Sequence, residues 1–432
     1  MLKRRHALSL AAATLAAPWV QAAPPAVLRF SWWGGAGRHA ATLKAIAAFE
    51  QKNPGLKVKA EYMGFQGYLE RLTTQIAGDS EPDVMQINWA WMAMFSKRGN
   101  GLTNLDPYKG LLALDQFTAE DLATGRVAGK LNALPVSYTA RVLLWNQATF
   151  QRAGLPVPRT WDELFNSGAV FKARLGDKFY PLDGELYDLM LLSQAYVHQK
   201  HGTPYLDPTP GVHRVAMSVD AAREWVATYR RLVDGHTGTP LPLRASLGGA
   251  EKPTEQQQDW VLGQWAGNYT WDSAIQLRAA TLKPPQSLVL GDFPQLPNAK
   301  NSGMFGRPTL MYAVGRNCRQ PELATRFINH LLTDPEAARL LGRTRGVPAA
   351  REPLQALLNS QQVPALELQA HQMIQKQKSA GRIDLPAPLF EHARLHKFMR
   401  EVFETVAYKK SNDADAAVRL VAEGGALLKR IK

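Results

Sequence analysis

Val27-Leu-Arg-Phe-Ser-Trp-Trp-Gly-Gly-Ala-Gly-Arg38 is the stretch on which the fold turns. Val27–Ser31 reads as a short strand that runs into tryptophan and glycine. From Arg38 to Lys52 the spacing becomes helical, with Leu43, Ile46 and Phe49 on one face. Asn53-Pro54-Gly55 stops that helix. Leu56–Tyr62 alternates, with Lys57, Lys59 and Glu61 on one side and Val58, Ala60 and Tyr62 on the other, as in a half-exposed strand. Tyr68–Ala77 returns to helical spacing through Leu69, Leu72 and Ile76, and Val84–Ile87 follows Pro82 as a third strand. This alternation predicts an α/β fold with mainly parallel strands and helices on the sheet faces.

Outward from there, Leu134–Trp145 is a long apolar, β-rich run, and Leu288–Phe293 is a strand candidate. Thr160 with Glu163 has the spacing of a capping box. Pro321 suits the first turn of an amphipathic helix over Glu322–Leu332, and Asp334-Pro335-Glu336 starts another. The last stretch of about 80 residues is mostly helical in pattern. A chain of 432 residues is long enough for two or three domains.

The N-terminus reads as an export signal. Lys3, Arg4 and Arg5 precede the apolar run Ala7–Ala17, and Val20-Gln21-Ala22 has small residues where a signal peptidase cleaves. Cleavage is expected near Ala22. The one cysteine, Cys318, offers neither a disulfide nor a lipid anchor, so the expected location is an enclosed space, the periplasm. The net charge of +14 favours anionic partners. The positive residues are dispersed with no basic tail, so nucleic acid is not expected as a partner.

Ligands of open α/β sheets sit beyond the carboxyl ends of strands. Here the strand ends carry Trp32, Trp33, Asn88 and Trp89, and a later segment repeats that composition with Asn268, Tyr269, Trp271 and Asp272. Indole and phenol rings stack on the C–H face of a pyranose, while amides and carboxylates take its hydroxyls. Trp145, Trp161 and Trp225, set in periodic apolar segments, are expected in the core. Arg141 lies inside an apolar run and needs a partner, either a protein carboxylate or an acidic ligand. Arg38, which opposes the helix dipole at a helix start, and Arg307 are similar cases. Gln66, Glu185 and Tyr187 complete the candidate set.

Ser31-Trp-Trp-Gly-Gly35, Phe49-Glu-Gln-Lys-Asn-Pro-Gly55, Glu81-Pro-Asp-Val84, Trp145-Asn-Gln-Ala-Thr-Phe150, Thr160-Trp-Asp-Glu163 and Gly346-Val-Pro348 occur in an order that resembles the family 1 extracellular solute-binding proteins of carbohydrate ABC importers. Tyr68–Gly78, Asp83-Val-Met-Gln-Ile-Asn-Trp89 and Thr139-Ala-Arg141 are similar to its oligogalacturonide-binding branch. The resemblance implies a periplasmic-binding-protein fold of class II type, with two α/β lobes joined by a hinge of crossover strands. The expected N-terminal lobe is 23–136 plus 287–332, and the C-terminal lobe 137–286 plus 333–432. It implies a monomer that binds a carbohydrate, such as a uronate or oligogalacturonide, and delivers it to inner-membrane permease subunits, with no enzyme activity, cofactor or metal. The segments 181–187 and 245–260 differ from that branch and are expected to face the cleft.

Two rival readings come from other classes. Gly35-Ala-Gly37-Arg-His-Ala40 formally fits a dinucleotide-binding turn, but two bulky tryptophans precede it where backbone would meet pyrophosphate. Asp183, Glu185 and Asp272 could furnish the carboxylate pair of a glycoside hydrolase. His392 and His396 share a helical face without a third metal ligand.

Overall fold

The structure is a computed structural model and describes residues 26–209, 211–249 and 252–431. The expected signal segment, 1–22, with its cleavage point at Ala22, lies outside them. Among the described residues no helix is long and apolar enough to cross a membrane. The strands are β1 (Ala26–Trp33), β2 (Leu56–Met63), β3 (Val84–Asn88), β4 (Arg126–Val127), β5 (Lys130–Leu131), β6 (Ala133–Asn146), β7 (Gly267–Trp271), β8 (Leu288–Leu290) and β9 (Gly306–Val314). One sheet runs in the order β2-β1-β3-β9-β6-β7, with β8 also paired to β6.

The opening β/α alternation forms as read. Helices Ala36–Lys52 and Tyr68–Ala77 link β1, β2 and β3, and β1 is parallel to both neighbours. The expectation of mainly parallel pairing is corrected beyond β3. There β9 is antiparallel to β3, and β6 is antiparallel to β9, β7 and β8. The reason is topological. Strand β6 carries the chain out of one body and β9 carries it back, and strands run in opposite senses must pair antiparallel.

Alternation along β1 divides the first core. Leu28, Phe30 and Trp32 pack against helices Ala36–Lys52 and Pro321–Thr333 on one face. Trp33 packs with Tyr68, Met85 and Ile87 on the other. A second core gathers Val142, Leu144 and Trp145 of β6 with Leu186–His201, Val219–Asp234 and Ala393–Ala407. Trp145, Trp161 and Trp225 are buried, as expected.

Strand β6 changes partner between Ala140, opposite Gly306, and Arg141, opposite Trp271, so its halves belong to different lobes. This lies a few residues past the expected break at 136, and the other two boundaries also fall later than expected. Leu288–Leu290 pairs with the far half of β6, and Phe293, Met304 and Phe305 join the second core, so the return comes at Gly306. Leu341 and Ala350 join the first core, and helix Ala365–Ser379 packs on β8. The last passage therefore lies between Asn359 and Ala365. Apolar periodicity tells that a helix is covered, but not by which core.

Candidate functional site

A cleft of about 460 Å³ lies where the two bodies meet. Its floor is the crossover itself: Tyr138 and Thr139 from β6, Arg307, Thr309 and Leu310 from β9. Trp33 at the end of β1 and Asn88 at the end of β3 form one wall, with Arg38, Phe65 and the loop Arg343–Val347. Asp272 and Ser273, just past β7, form the other wall with Glu367. The carboxyl ends of the parallel strands thus face the site, as the sheet rule requires.

The paired tryptophans separate by strand alternation. Trp33 points toward the cleft from an aromatic cluster, with ring centroids 5.0 Å from Tyr68, 5.1 Å from Trp91 and 5.8 Å from Phe65. Phe65 is 59% exposed and extends that apolar surface outward. Trp32 shares the opposite face with Leu28 and Phe30. It stacks 4.8 Å from Phe30 and 4.9 Å from Tyr62, and its Nε1 donates to His39 Nδ1 at 3.1 Å. Trp89 is also core, its Nε1 donating to the Thr124 carbonyl at 3.1 Å. Trp32 and Trp89 are therefore corrected from cleft to core. Asn88 lines the cleft while its Oδ1 accepts from the Ala90 N–H at 3.0 Å and caps the short helical turn Trp89–Trp91. Gln66 is exposed beside Phe65 and is not among the cleft-lining residues.

The arginines divide by what already neutralises them. Arg141 is buried, ion-paired to Asp188, and donates to the Tyr269 carbonyl at 3.1 Å. Its guanidinium sits 4.9 Å from the Trp271 ring and 5.4 Å from Tyr187. Of the two partners the sequence left open, the protein carboxylate is the one present, and Arg141 does not line the cleft. Arg307 does line it, but its Nε lies 2.7 Å from Glu391 and its charge is held there. Arg38 differs. Its Nε donates to the Thr344 carbonyl at 2.8 Å and its Nη1 to the Trp33 carbonyl at 3.0 Å, and it has no carboxylate partner among the described residues. Burial and the nearby Arg345 push Arg38 down to about 10.

On the second body the candidates scatter. Asp272 faces the cleft, accepts from the Thr139 hydroxyl, and is pushed up to about 6, chiefly by burial. Trp271 packs between Arg141 and Arg307, 4.9 and 5.0 Å from their guanidinium groups, and is not among the cleft-lining residues. Asn268 and Tyr269 are core, with Asn268 Oδ1 accepting from Arg278 Nε at 3.0 Å. Glu185 caps helix Leu186–His201 by accepting from the Tyr187 and Asp188 N–H groups at 2.7 and 3.1 Å. Tyr187 packs 4.4 Å from the His396 ring. Among their described residues, the segments 181–187 and 245–260 do not line the cleft. Buried Asp183 is joined to Arg244 at 2.9 Å and to the Thr254 hydroxyl, locking the two segments together. A surplus of polar residues in a loop signals partners, and here the partners are internal.

Sequence reasoning missed Phe65, Tyr138, Thr139, Thr309, Glu367 and the loop Arg343-Thr-Arg345. The loop carried a signal. Two arginines within three residues stand between Gly342 and Gly346, whose φ values are 53° and 91°. At Gly346 a side chain would press on Ser137, whose hydroxyl donates to the Arg345 carbonyl at 2.6 Å. Glycine there lets the loop clasp the hinge strand.

Just before the glycine turn, a β-carbon at Gly34 would lie 2.5 Å from Arg38 Cδ, whereas at Gly35 and Gly37 it would meet nothing within 4 Å. Of Asp183, Glu185 and Asp272, only Asp272 reaches the cleft.

The chain and its fold have counterparts among known proteins. The sequence model for bacterial extracellular solute-binding proteins matches residues 35–338. A structure of a periplasmic oligogalacturonide-binding protein from Yersinia enterocolitica, in complex with saturated digalacturonic acid, is 37% identical, with TM-score 0.80, over 94% of this chain and 99% of that one. A de novo designed cysteine esterase is 36% identical, with TM-score 0.88, over 95% of this chain and 99% of that one. A binding protein of Brucella abortus is 29% identical over 196 residues, 43% of this chain, and the match spans only 45% of that relative's length.

Proposed function

Because this chain belongs to the bacterial extracellular solute-binding proteins, which bind solutes and are not enzymes, we propose that it captures an acidic saccharide in the cleft and delivers it to the permease of an ABC importer in the inner membrane. Export to the periplasm and a monomeric state are part of that proposal. The observation that carries it is a cleft between two bodies with an aromatic wall at Trp33 and Phe65 and a guanidinium, Arg38, lacking a carboxylate partner among the described residues. Stacking selects a sugar ring and the cation selects an acid. The similarity to an oligogalacturonide-binding protein supports the same class of ligand.

The mechanism is closure without chemistry. Saccharide rests on one wall, and contacts from the other form only when the lobes approach, so the ligand favours closure by its differential affinity. The test is thermal shift against neutral and uronic mono- to trisaccharides. A native-state ligand at a hundred times its Kd adds about 2.7 kcal/mol, which raises the midpoint. Uronic oligosaccharides are expected to give the largest shifts. No shift with any saccharide would overturn the reading.

A further inference from the structure

The feature left unabsorbed is Arg345. Its side chain is only 5% exposed, at the base of the wall that holds Arg38. Nε donates to Gln86 Oε1 at 2.7 Å and Nη2 to Thr42 Oγ1 at 2.9 Å, while Nη1 is buried with no partner. Its nearest ring is Tyr312, 5.8 Å away, whose hydroxyl is also unpartnered. No carboxylate lies within 4.0 Å of Arg345 or Arg38 among the described residues, whereas Arg141, Arg244, Arg278, Arg307 and Arg343 each have one. Burial, with Arg345 nearby, lowers the proton affinity of Arg38, and burial lowers that of Arg345. Two cations sunk together without a counterion cost several kcal/mol of desolvation and mutual repulsion. Such an arrangement is stable only as half of something.

The opposite wall is of the other sign. Asp272 and Glu367 face the cleft there, and Glu391 holds Arg307. Glu367 is itself bound to Arg343, and Asp272 takes its hydrogen bond from an uncharged hydroxyl. The cleft is therefore polarised, with uncompensated positive charge on the first lobe and carboxylate on the second.

We propose that Arg38 and Arg345 form a seat for one ligand carboxylate, which fixes the direction of the saccharide: acid group against the first lobe, hydroxyls toward Asp272. This rests on the saccharide reading above. Arg38 supplies the direct contact, through the guanidinium edge its two backbone carbonyls leave free. Arg345 is a positioning residue that raises the local field from beneath and is itself relieved when the anion arrives. The same polarity sets the order of events. The acid docks on the first lobe before closure, because the one carboxylate of the second wall without a cation partner, Asp272, repels an anion there.

The experiment compares digalacturonate with the neutral disaccharide in which each carboxylate is a hydroxymethyl group, by calorimetry on the full mature chain. Wild type is expected to prefer the acid by at least about tenfold, as a charge-assisted hydrogen bond implies. Arg38→Gln is expected to lose most of that preference, with the acid's affinity falling much further than the neutral sugar's. Arg345→Gln is expected to reduce the preference as well. A purely structural role for Arg345 would weaken both sugars equally. An unchanged acid-to-neutral ratio in both variants overturns the seat, as does equal binding of both sugars by wild type, and either result leaves saccharide capture standing. Binding of neither sugar overturns the seat for digalacturonate, and with no shift from any saccharide of the wider panel it overturns capture itself.

Discussion

Arg141 and Asp188 occupy an interior that tolerates neither alone. Burial raises Asp188 to about 6 even with the guanidinium beside it. Arg141→Met would leave that carboxylate buried without a partner, a loss of about 3–5 kcal/mol at neutral pH. The expected outcome is a large fall in thermal midpoint at pH 7 that shrinks at pH 5, where Asp188 takes a proton. A variant as stable as wild type at pH 7 would mean that the pair is not the essential one. Asp272 gives a second pH dependence. Its folded value of about 6 stands above the ordinary aspartate value of 3.8, so the folded state holds the proton more firmly. Stability from this group is full below about 4, falls as pH rises to about 6, and is constant above. Asp272→Asn removes that loss, so the midpoint of the variant relative to wild type should climb across that window. A difference independent of pH would contradict it. At this scale the sequence was a partial guide. It showed that Arg141 needed a partner, but the partner stands 47 residues away on a different element, and no local pattern reports that pairing.

Elements were more legible, because their signals are local. Thr160 accepts from the Glu163 N–H at 3.2 Å and the Glu163 carboxylate accepts from Thr160 N–H at 3.1 Å, so helix Trp161–Leu175 begins with the capping box its spacing announced. Thr160→Ala should lower stability by about 1 kcal/mol, read by chemical denaturation, without altering sugar affinity. A change in affinity would place this helix start in the site. Helix Tyr68–Ala77 and the start of β2 at Leu56 were also readable from periodicity. Alternation even held the answer for Trp32 and Trp33. Since Leu28 and Phe30 are core, Trp32 shares their face and Trp33 does not. The direction of β9 was not readable. A strand's sense relative to its neighbour depends on where the intervening chain has been, and that path of well over a hundred residues leaves no mark in the strand's own composition.

Over the whole molecule, the two lobes are tied by more than the sheet. Lys378 of helix Ala365–Ser379 pairs with Asp121 of helix Ala119–Thr124, both nearly buried, with the ammonium 5.0 Å from the Tyr138 ring. The turn Pro388–Glu391 also rests on Trp89–Phe95 across the cleft. Lys378→Met should loosen this arrangement, increase the radius of gyration of the unliganded protein in solution scattering, and weaken saccharide binding. An unchanged radius would show that the sheet alone sets the lobe angle. The crossing strands carry one more implication, about the order of synthesis. The first lobe draws on residues up to Asn359 and the second on residues up to the last helix, Asp413–Arg430. The first core stays open until β9 and helix Pro321–Thr333 arrive to cover β1 and β3, and the second until the last helix arrives. Contacts so distant along the chain form late and slowly. A nascent polypeptide of this design can therefore close neither core until most of its length has been made.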